Sequence, residues 1–463
     1  MTPRALVVAC NFPPDASVGT MRTLRLIRHL TASGWRVDVV TIAPEGFRPG
    51  TVVDPALLDK VPPAVSVIRA TPLRPFERVS ARLKRATAPA TTSERSGPSA
   101  TKRATRERQG SVSRARRAIS AALALPDREV SWLIPAVWRG WRHARRARPD
   151  VIYSSGPPFT GHLAGLALAR LLSVPWVADF RDPWARAPWR EDRFEFERRA
   201  WAIFERLVVE RAQTVVFATE TNQRDFARHY GAATAQFFVV SNGCDPADFE
   251  GMVPKVERHG GRFVLLHAGS LYGARNPAAL LRALASAIEK GRLDRSRFRL
   301  RFIGRLGSLG ADLPAIARQL NLAEVVEFAS HMPRRESLQE MVDASALLVV
   351  QPVTTVSIPA KLYEYMAAGR PILALAEPGG ETADLVERSG AGLAVLADDE
   401  AAIEDALVSI LALSRDGFAS VDRRAYDGDE RAAELRAILT GAIEGRVAGV
   451  ANGQDSPIAG ARQ

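Results

Sequence analysis

The chain has 463 residues, 46% of them hydrophobic and 7% aromatic, enough to bury the cores of two or three domains without covalent staples. Only Cys10 and Cys244 are present and no Cys or His pair has metal-ligand spacing, which excludes a disulfide framework and a structural zinc site and fits a reducing cytosol. A net charge of +12 invites nucleic-acid binding, but 13 Lys or Arg against 3 Asp or Glu fall between Arg74 and Ser120, so most of the excess is local and the rest of the chain is nearly neutral.

From the start of the chain, short apolar runs alternate with amphipathic stretches, the pattern of a doubly wound parallel sheet. Strands are predicted at Ala5 to Ala9, Arg36 to Ile42, Ser66 to Ala70, Val151 to Ser154, Trp176 to Phe180, Thr214 to Ala218 and Phe237 to Ser241. Helices are predicted at Thr23 to Ser33, Thr160 to Leu172, Asp192 to Ala212 and Gln223 to His229. Residues 76–117 interrupt this first domain, placed at 1–251. Rich in Thr, Ser, Ala, Pro and Arg, they bury too little apolar surface to offset chain entropy and read as a disordered basic insertion, either a solvated linker or a segment drawn to anionic lipid. Val130 to Arg148 then sets Trp132, Leu133, Val137, Trp138 and Trp141 largely on one helical face, with Arg139, Arg142, Arg145 and Arg146 elsewhere. It is either a lobe helix with its Trp face buried or an interfacial anchor.

Met252 to Gly261, with Pro254 and Gly260-Gly261, reads as a linker, after which the alternation restarts. Strands are predicted at Phe263 to Ala268, Phe298 to Gly304, Val325 to Ala329, Ala346 to Val350, Ile372 to Ala376 and Leu393 to Leu396, with helices at Pro277 to Glu289, Arg335 to Ala344, Thr382 to Arg388 and Ala401 to Leu413. This second domain spans 262–428. A crossover helix at 429–448 packs back toward the first lobe, and 449–463 form a frayed tail. Leu6 to Ala9 is too short for a signal-peptide core, and no run of about 18 uncharged apolar residues occurs, so a cytoplasmic protein, at most peripheral on a membrane, is expected.

Ile358 to Pro371 carries the most chemistry. Pro359 suits the first turn of a helix, and Gly369 with Pro371 ends it, so a short helix begins just beyond the carboxyl end of a parallel strand. There Lys361, free backbone N–H groups and the helix dipole can converge on a diphosphate, and Glu364 offers a carboxylate to ribose hydroxyls. Asn11 to Arg22 forms a strand-to-helix loop in which Gly19 permits close approach to a ligand, but neither Gly-x-Gly-x-x-Gly nor a Walker A signature is present. His267 to Pro277 marks the switch from strand to loop at Gly269 and Ser270, with Arg275 just before a helix as a candidate phosphate fork. Asp427-Gly-Asp429 precedes a helix and reads as an N-cap rather than a metal motif.

Taken in order, Phe12-Pro-Pro with Gly19, Asp179-Phe-Arg-Asp-Pro-Trp184, Ser241-Asn-Gly-Cys-Asp245, His267-Ala-Gly-Ser-Leu, Phe302-Ile-Gly304 and Lys361 to Pro371 resemble the family-4 retaining glycosyltransferases of the GT-B fold, especially bacterial surface-polysaccharide and glycolipid types. The resemblance covers about 1–72 and 126–445. It implies an α/β architecture of two Rossmann-like, doubly wound domains facing across a cleft. It implies a donor site of Gly19, Gly269, Ser270, Arg275, Ala360, Lys361, Leu362 and Glu364, and an acceptor side at Asp179, Arg181 and Trp184. Asp182 and Glu364 are the implied catalytic pair, with Asp182 either orienting the acceptor or serving as a structural loop carboxylate. Two departures stand out: the first carboxylate of the family's paired-Glu motif falls on Val356, leaving the sugar grip to Thr354, Thr355 or Ser357, and one diphosphate-binding cation falls on Ser270. The expected partners are a nucleotide-sugar donor, a glycan or polyprenyl-linked acceptor and an anionic membrane surface, with no nucleic acid, no metal and no cofactor. The alternatives are a sugar-nucleotide epimerase and a degenerate nucleotide- or nucleic-acid-binding protein.

Overall fold

The structure, a computed structural model, describes residues 2–73, 117–188, 193–231, 235–255, 260–271, 273, 275–307, 312–330, 332–415 and 426–445. The insertion predicted at 76–117, apart from Arg117, and the tail predicted at 449–463 lie outside the described residues.

The first lobe is built on β1 (Arg4–Ala9), β2 (Arg36–Ile42), β3 (Ser66–Ala70), β4 (Val151–Gly156), β5 (Trp176–Phe180), β6 (Thr214–Phe217) and β7 (Gln236–Val239). All are parallel, in the order β3-β2-β1-β4-β5-β6-β7. Helices α1 (Val18–Ala32), α2 (Leu133–Ala144), α3 (Thr160–Leu172), α4 (Glu195–Arg211) and α5 (Glu220–His229) cover it. Because both faces of the sheet are covered, its strands read as unbroken apolar runs. Alternation along β1 shows it: Ala5, Val7 and Ala9 join Leu24 and Ile27 of α1, while Leu6 and Val8 join Trp132 and Leu168 on the opposite face.

The second lobe repeats the plan with β8 (Phe263–Ala268), α6 (Ala278–Glu289), β9 (Phe298–Ile303), α7 (Asp312–Gln319), β10 (Val326–Ala329), α8 (Arg334–Asp343), β11 (Ala346–Gln351), α9 (Ala360–Ala368), β12 (Ile372–Ala376), α10 (Glu381–Arg388), β13 (Gly392–Val395) and α11 (Glu400–Arg415). Its six parallel strands run β10-β9-β8-β11-β12-β13. Helix α7 was not anticipated, because Pro314 reads as a breaker in so short a segment; in a first turn its missing N–H breaks no bond.

Helix α12 (Gly428–Ile443) starts where predicted, the Asp427 carboxylate accepting from the N–H of Asp429 at 2.8 Å. It then returns to the first lobe, placing Leu435, Leu439 and Ala442 against Leu26, Ile27 and Leu30 of α1. The two connections between the lobes run side by side: Cys244 N–H donates to the Tyr426 carbonyl (3.0 Å) and Gly428 N–H to the Cys244 carbonyl (2.6 Å). Gly428 is required there, since a Cβ would lie 2.5 Å from that carbonyl oxygen.

Candidate active site

In each sheet the strand order reverses once, between β1 and β4 and between β8 and β11. Loops beyond the carboxyl ends diverge at such points and leave a crevice. The sequence motifs fall there. The Gly19 segment follows β1, the Gly269 segment follows β8, and Lys361 and Glu364 follow β11.

Helix α9 is set as the sequence requires, with Pro359 as N-cap and Gly369 closing it at φ 68° in the left-handed region. Leu362, Tyr363, Tyr365 and Met366 are buried, which leaves Lys361 and Glu364 on the open face. The Lys361 stem crosses Gly269 so closely that a Cβ at that glycine would lie 3.1 Å from both Cδ and Cε. The same point is 3.3 Å from Nε2 of His267. His267, at the end of β8, is 6% exposed; its Nδ1 pairs with the Leu348 carbonyl at 2.9 Å and its Nε2 has no partner among the described residues. Burial, with Lys361 and Arg275 nearby, lowers its pKa to about 4, so near neutral pH the imidazole is uncharged, Nδ1–H donates to Leu348 and Nε2 offers a lone pair. Lys361, Arg275, Gly269 and the start of α9 are thus brought together. No hydrogen bond or ion pair holds the Lys361 ammonium among the described residues; it feels Glu364 only at longer range. Gly304 completes the cradle: at φ 135°, a Cβ there would lie 2.4 Å from the Gly269 carbonyl oxygen.

Glu364 is 16% exposed and accepts from Arg334 Nη1 at 2.7 Å. Arg334 first, then Lys361 and Arg25 of α1, hold its carboxyl below the usual range despite burial. Arg334 also donates to Asp248 through Nη2 (2.7 Å) and Nε (3.3 Å), and Lys60 of the first lobe binds the other Asp248 oxygen at 2.7 Å. Sequence reasoning missed Arg334, His267 and Arg25. Pro333-Arg334 signals only a helix start, and nothing local indicates that the guanidinium reaches a carboxylate thirty residues on.

Several expectations change on the first-lobe side. Gly19 lies inside the first turn of α1, which begins five residues before the predicted start, and what approaches it is Arg181. A Cβ at position 19 would lie 2.2 Å from Arg181 Nη1. Trp184, expected at the acceptor side, is a core residue at 0% exposure, stacked on Phe159 with ring centroids 4.4 Å apart. Its indole satisfies the apolar packing between β5 and α4, which outweighs its place in a motif. Asp179 is likewise fully buried: Arg22 donates to its two oxygens at 2.8 Å each, with Tyr153 (2.6 Å) and Ser155 (3.2 Å) completing the shell. Arg22 in turn donates to the Ser241 carbonyl at 2.9 Å, so Asp179 anchors the Ser241–Asp245 segment and presents no oxygen to an acceptor. Arg181 and Asp182 remain half-buried at the end of β5, close enough to influence each other electrostatically. In the second lobe Ser270 is exposed, Ala360 half-buried and Leu362 wholly in the core, so Leu362 offers only its backbone.

Val356, where the resemblance put the first carboxylate of the paired-Glu motif, makes a contact between the lobes. Its backbone carbonyl accepts from Thr219 Oγ1 of the first lobe at 2.7 Å, and nearby Glu381 accepts from the Thr221 N–H at 2.6 Å. Thr354 and Ser357 pair with each other (3.2 Å), with Gln351 Nε2 donating to Ser357 (3.3 Å). Among the described residues no three His, Cys, Asp or Glu side chains cluster as metal ligands.

Two facing Rossmann-like lobes with a cationic cradle at the second switch point define the GT-B class of architecture. Residues 95–248 match the description Glycosyltransferase Family 4, and residues 262–413 match Glycosyl transferases group 1. The chain belongs to glycosyltransferase family 4. It is 30% identical over 230 residues to the D-inositol 3-phosphate glycosyltransferase of Nocardiopsis dassonvillei, covering 47% of this chain and 53% of that protein. For the enzyme of the same name from Kineococcus radiotolerans the match is 30% over 203 residues, 41% of this chain and 46% of the relative. The chain therefore spans about half the length of the curated relatives it matches. Among solved structures, sucrose-phosphate synthase from Thermosynechococcus elongatus superposes with a TM-score of 0.63 at 15% identity, over 96% of this chain and all of the other (100%). Anabaena HepE in complex with UDP-glucose gives 0.56 at 14% identity, over 94% and 100%. These likenesses establish the fold.

Proposed function

We propose that this protein is a retaining glycosyltransferase that moves a sugar from a nucleotide-diphosphate sugar to a hydroxyl of a glycan or polyprenyl-linked acceptor in cell-envelope synthesis. One observation carries the reading: at the start of a helix the Lys361 ammonium, which has no ion pair among the described residues, lies over Gly269, with Arg275 close enough to act on the same His267, a concentration of positive charge and helix N–H groups suited to a diphosphate. 

Glu364 takes the ribose, and Ala360 and Leu362 contribute backbone groups at the helix start. In the transfer the bond between the anomeric carbon and the β-phosphate oxygen breaks and a bond to the acceptor oxygen forms on the same face. The acceptor proton passes to the departing diphosphate. Fixed charges and peptide dipoles already aimed at the diphosphate stabilise it as it leaves, without reorganisation. Asp182, at the carboxyl end of β5 across the crevice, orients the acceptor.

The relatives named for D-inositol 3-phosphate support a hydroxyl acceptor that also carries phosphate. A membrane-surface role is supported by α2, where Ile134 and Trp138 are 70% and 53% exposed among exposed Arg139, Arg142, Arg145 and Arg146. Among the described residues no helix is long and apolar enough to cross a membrane, so contact there would be peripheral.

The test is nucleotide binding followed by turnover. UDP, GDP and ADP are titrated against the protein, and the sugar derivatives of the base that binds are then assayed with Lys361→Ala. A loss of at least tenfold in affinity for the diphosphate is expected, from removal of one charge-assisted contact. Unchanged affinity and turnover in the variant would remove the donor site from α9.

A further inference from the structure

Glu364 is held by a side chain from outside its own helix. We propose that Arg334 is a positioning residue for the donor, fixing the Glu364 carboxylate for the nucleotide ribose and tying it through Asp248 and Lys60 to the first lobe. This rests on the reading of Glu364 as the ribose-binding carboxylate.

Arg334 is the first residue of α8, and its planar fork is divided between two carboxylates: Nη1 donates to Glu364 Oε1 at 2.7 Å, and Nη2 and Nε to Asp248 Oδ2 at 2.7 and 3.3 Å. A guanidinium held at two edges cannot swing, so the oxygen it binds is fixed in direction as well as charge. Oε1 is engaged, while Oε2 accepts nothing from the described residues. That is the arrangement a vicinal diol needs, a carboxylate with one oxygen anchored and one presented.

The groups facing Glu364 are Lys361 from its own helix, Arg25 from α1 and Arg334 from α8, with the Cys244 thiol beside Arg25. Lys361 and Arg25 act on it through space; Arg334 alone among the described residues hydrogen-bonds it. Asp248 is committed as well, because Lys60 holds its other oxygen at 2.7 Å. Lys60 and Asp248 precede the interlobe linker, whereas Arg334 and Glu364 follow it. The chain of four charges therefore crosses between the lobes, and the position of the first lobe is felt at the ribose carboxylate.

The experiment uses the full chain, with the nucleoside diphosphate that binds best among UDP, GDP and ADP, its 2′,3′-dideoxy counterpart, and calorimetry from about pH 3.5 to 8, a window that includes the wild-type acid limb. For Arg334→Met we expect about tenfold weaker binding of the ribonucleotide, as for Glu364→Gln, with the double variant no worse than either single. Binding of the dideoxy compound should be unchanged, which also shows the variant folded. Arg334→Lys, which keeps charge but not the fork, should fall between. The sign for pH follows from Arg334 holding the Glu364 carboxyl below its usual range: affinity is present while the carboxylate is ionised and is lost as pH falls through its pKa. Removing Arg334 raises that pKa, so the acid limb of ribonucleotide binding moves to higher pH. Equal loss for ribo- and dideoxynucleotide would reduce Arg334 to a structural role and overturn the proposal. So would wild-type affinity and an unmoved acid limb in Arg334→Met while Glu364→Gln binds weakly. Failure of the wild-type protein to bind any of the three nucleotides would instead overturn the reading of the donor site itself.

Discussion

Removing one member of a buried ion pair strands the other, a loss larger than the pair's own net contribution. Arg22 and Asp179 are 5% and 0% exposed, and Tyr153, Ser155 and the Ser241 carbonyl are aligned by them. The arginine holds the Asp179 carboxyl below its ordinary range although burial alone would raise it. Asp179→Asn should therefore destabilise the first lobe by about 3–5 kcal/mol. Urea unfolding followed by tryptophan fluorescence measures it, Trp176 being in β5 itself and Trp184 just beyond. A change of less than about 1 kcal/mol would mean that the pair is solvated and dispensable. At this scale the sequence was a partial guide. It marked Asp179 and Trp184 as residues of interest, but only packing reveals that one neutralises a buried arginine and the other fills a core.

At the scale of the element, α2 and α9 differ in how fully their roles could be read. Helix α9 was legible from end to end, because Pro359 and Gly369 bound it and its apolar positions recur at helical spacing. Helix α2 was ambiguous, since its aromatic residues could face in or out. The structure divides them: Trp132, just ahead of the helix, is fully buried, Ala136, Gly140 and Ala144 form a narrow stripe against α3, and Trp138 and Ile134 point away. Gly140 is the closest contact, where a Cβ would lie 3.1 Å from Leu168 Cδ1. A small-residue stripe lets α2 lie close to α3, Leu133, Val137 and Trp141 pack half-buried against the first-lobe core, and Trp138 stands outside it with the Arg142 guanidinium 5.5 Å from its ring. If that outer face meets an anionic bilayer, Ile134→Ser with Trp138→Ser should weaken co-sedimentation with vesicles containing phosphatidylglycerol by about tenfold or more, given the apolar area withdrawn. Binding equal to wild type would exclude this face. Its stability should barely change, since neither side chain is in the core.

For the whole molecule, the fold class was legible because each lobe repeats the same alternation of apolar runs and amphipathic stretches; the strand orders came only with the structure. How the lobes meet was not legible, for those contacts join residues far apart in the chain, 86 positions for Arg334 and Asp248 and 137 for Thr219 and Val356. Thr219 and Thr221, at the start of α5, meet the Val356 carbonyl and the Glu381 carboxylate of the second lobe at 2.7 and 2.6 Å. Glu381 thereby supplies an acceptor to the N-terminus of a helix in the other lobe, where a negative charge is favoured by the helix dipole. One bond is to Val356 itself and the other to Glu381 nearby, so the Val356 segment is pinned across the crevice. Two such bonds, one of them charge-assisted, together contribute about 2–4 kcal/mol, enough to shift an open-to-closed equilibrium by tenfold or more. Thr219→Val with Glu381→Ala should accordingly increase the radius of gyration of the ligand-free protein in small-angle scattering. It should also raise the KM for the nucleotide sugar, because closure would then have to be driven by the ligand. Scattering curves that superpose with wild type would show that the lobes are held by other contacts, such as the ion chain through Asp248 and the packing of α12 on α1.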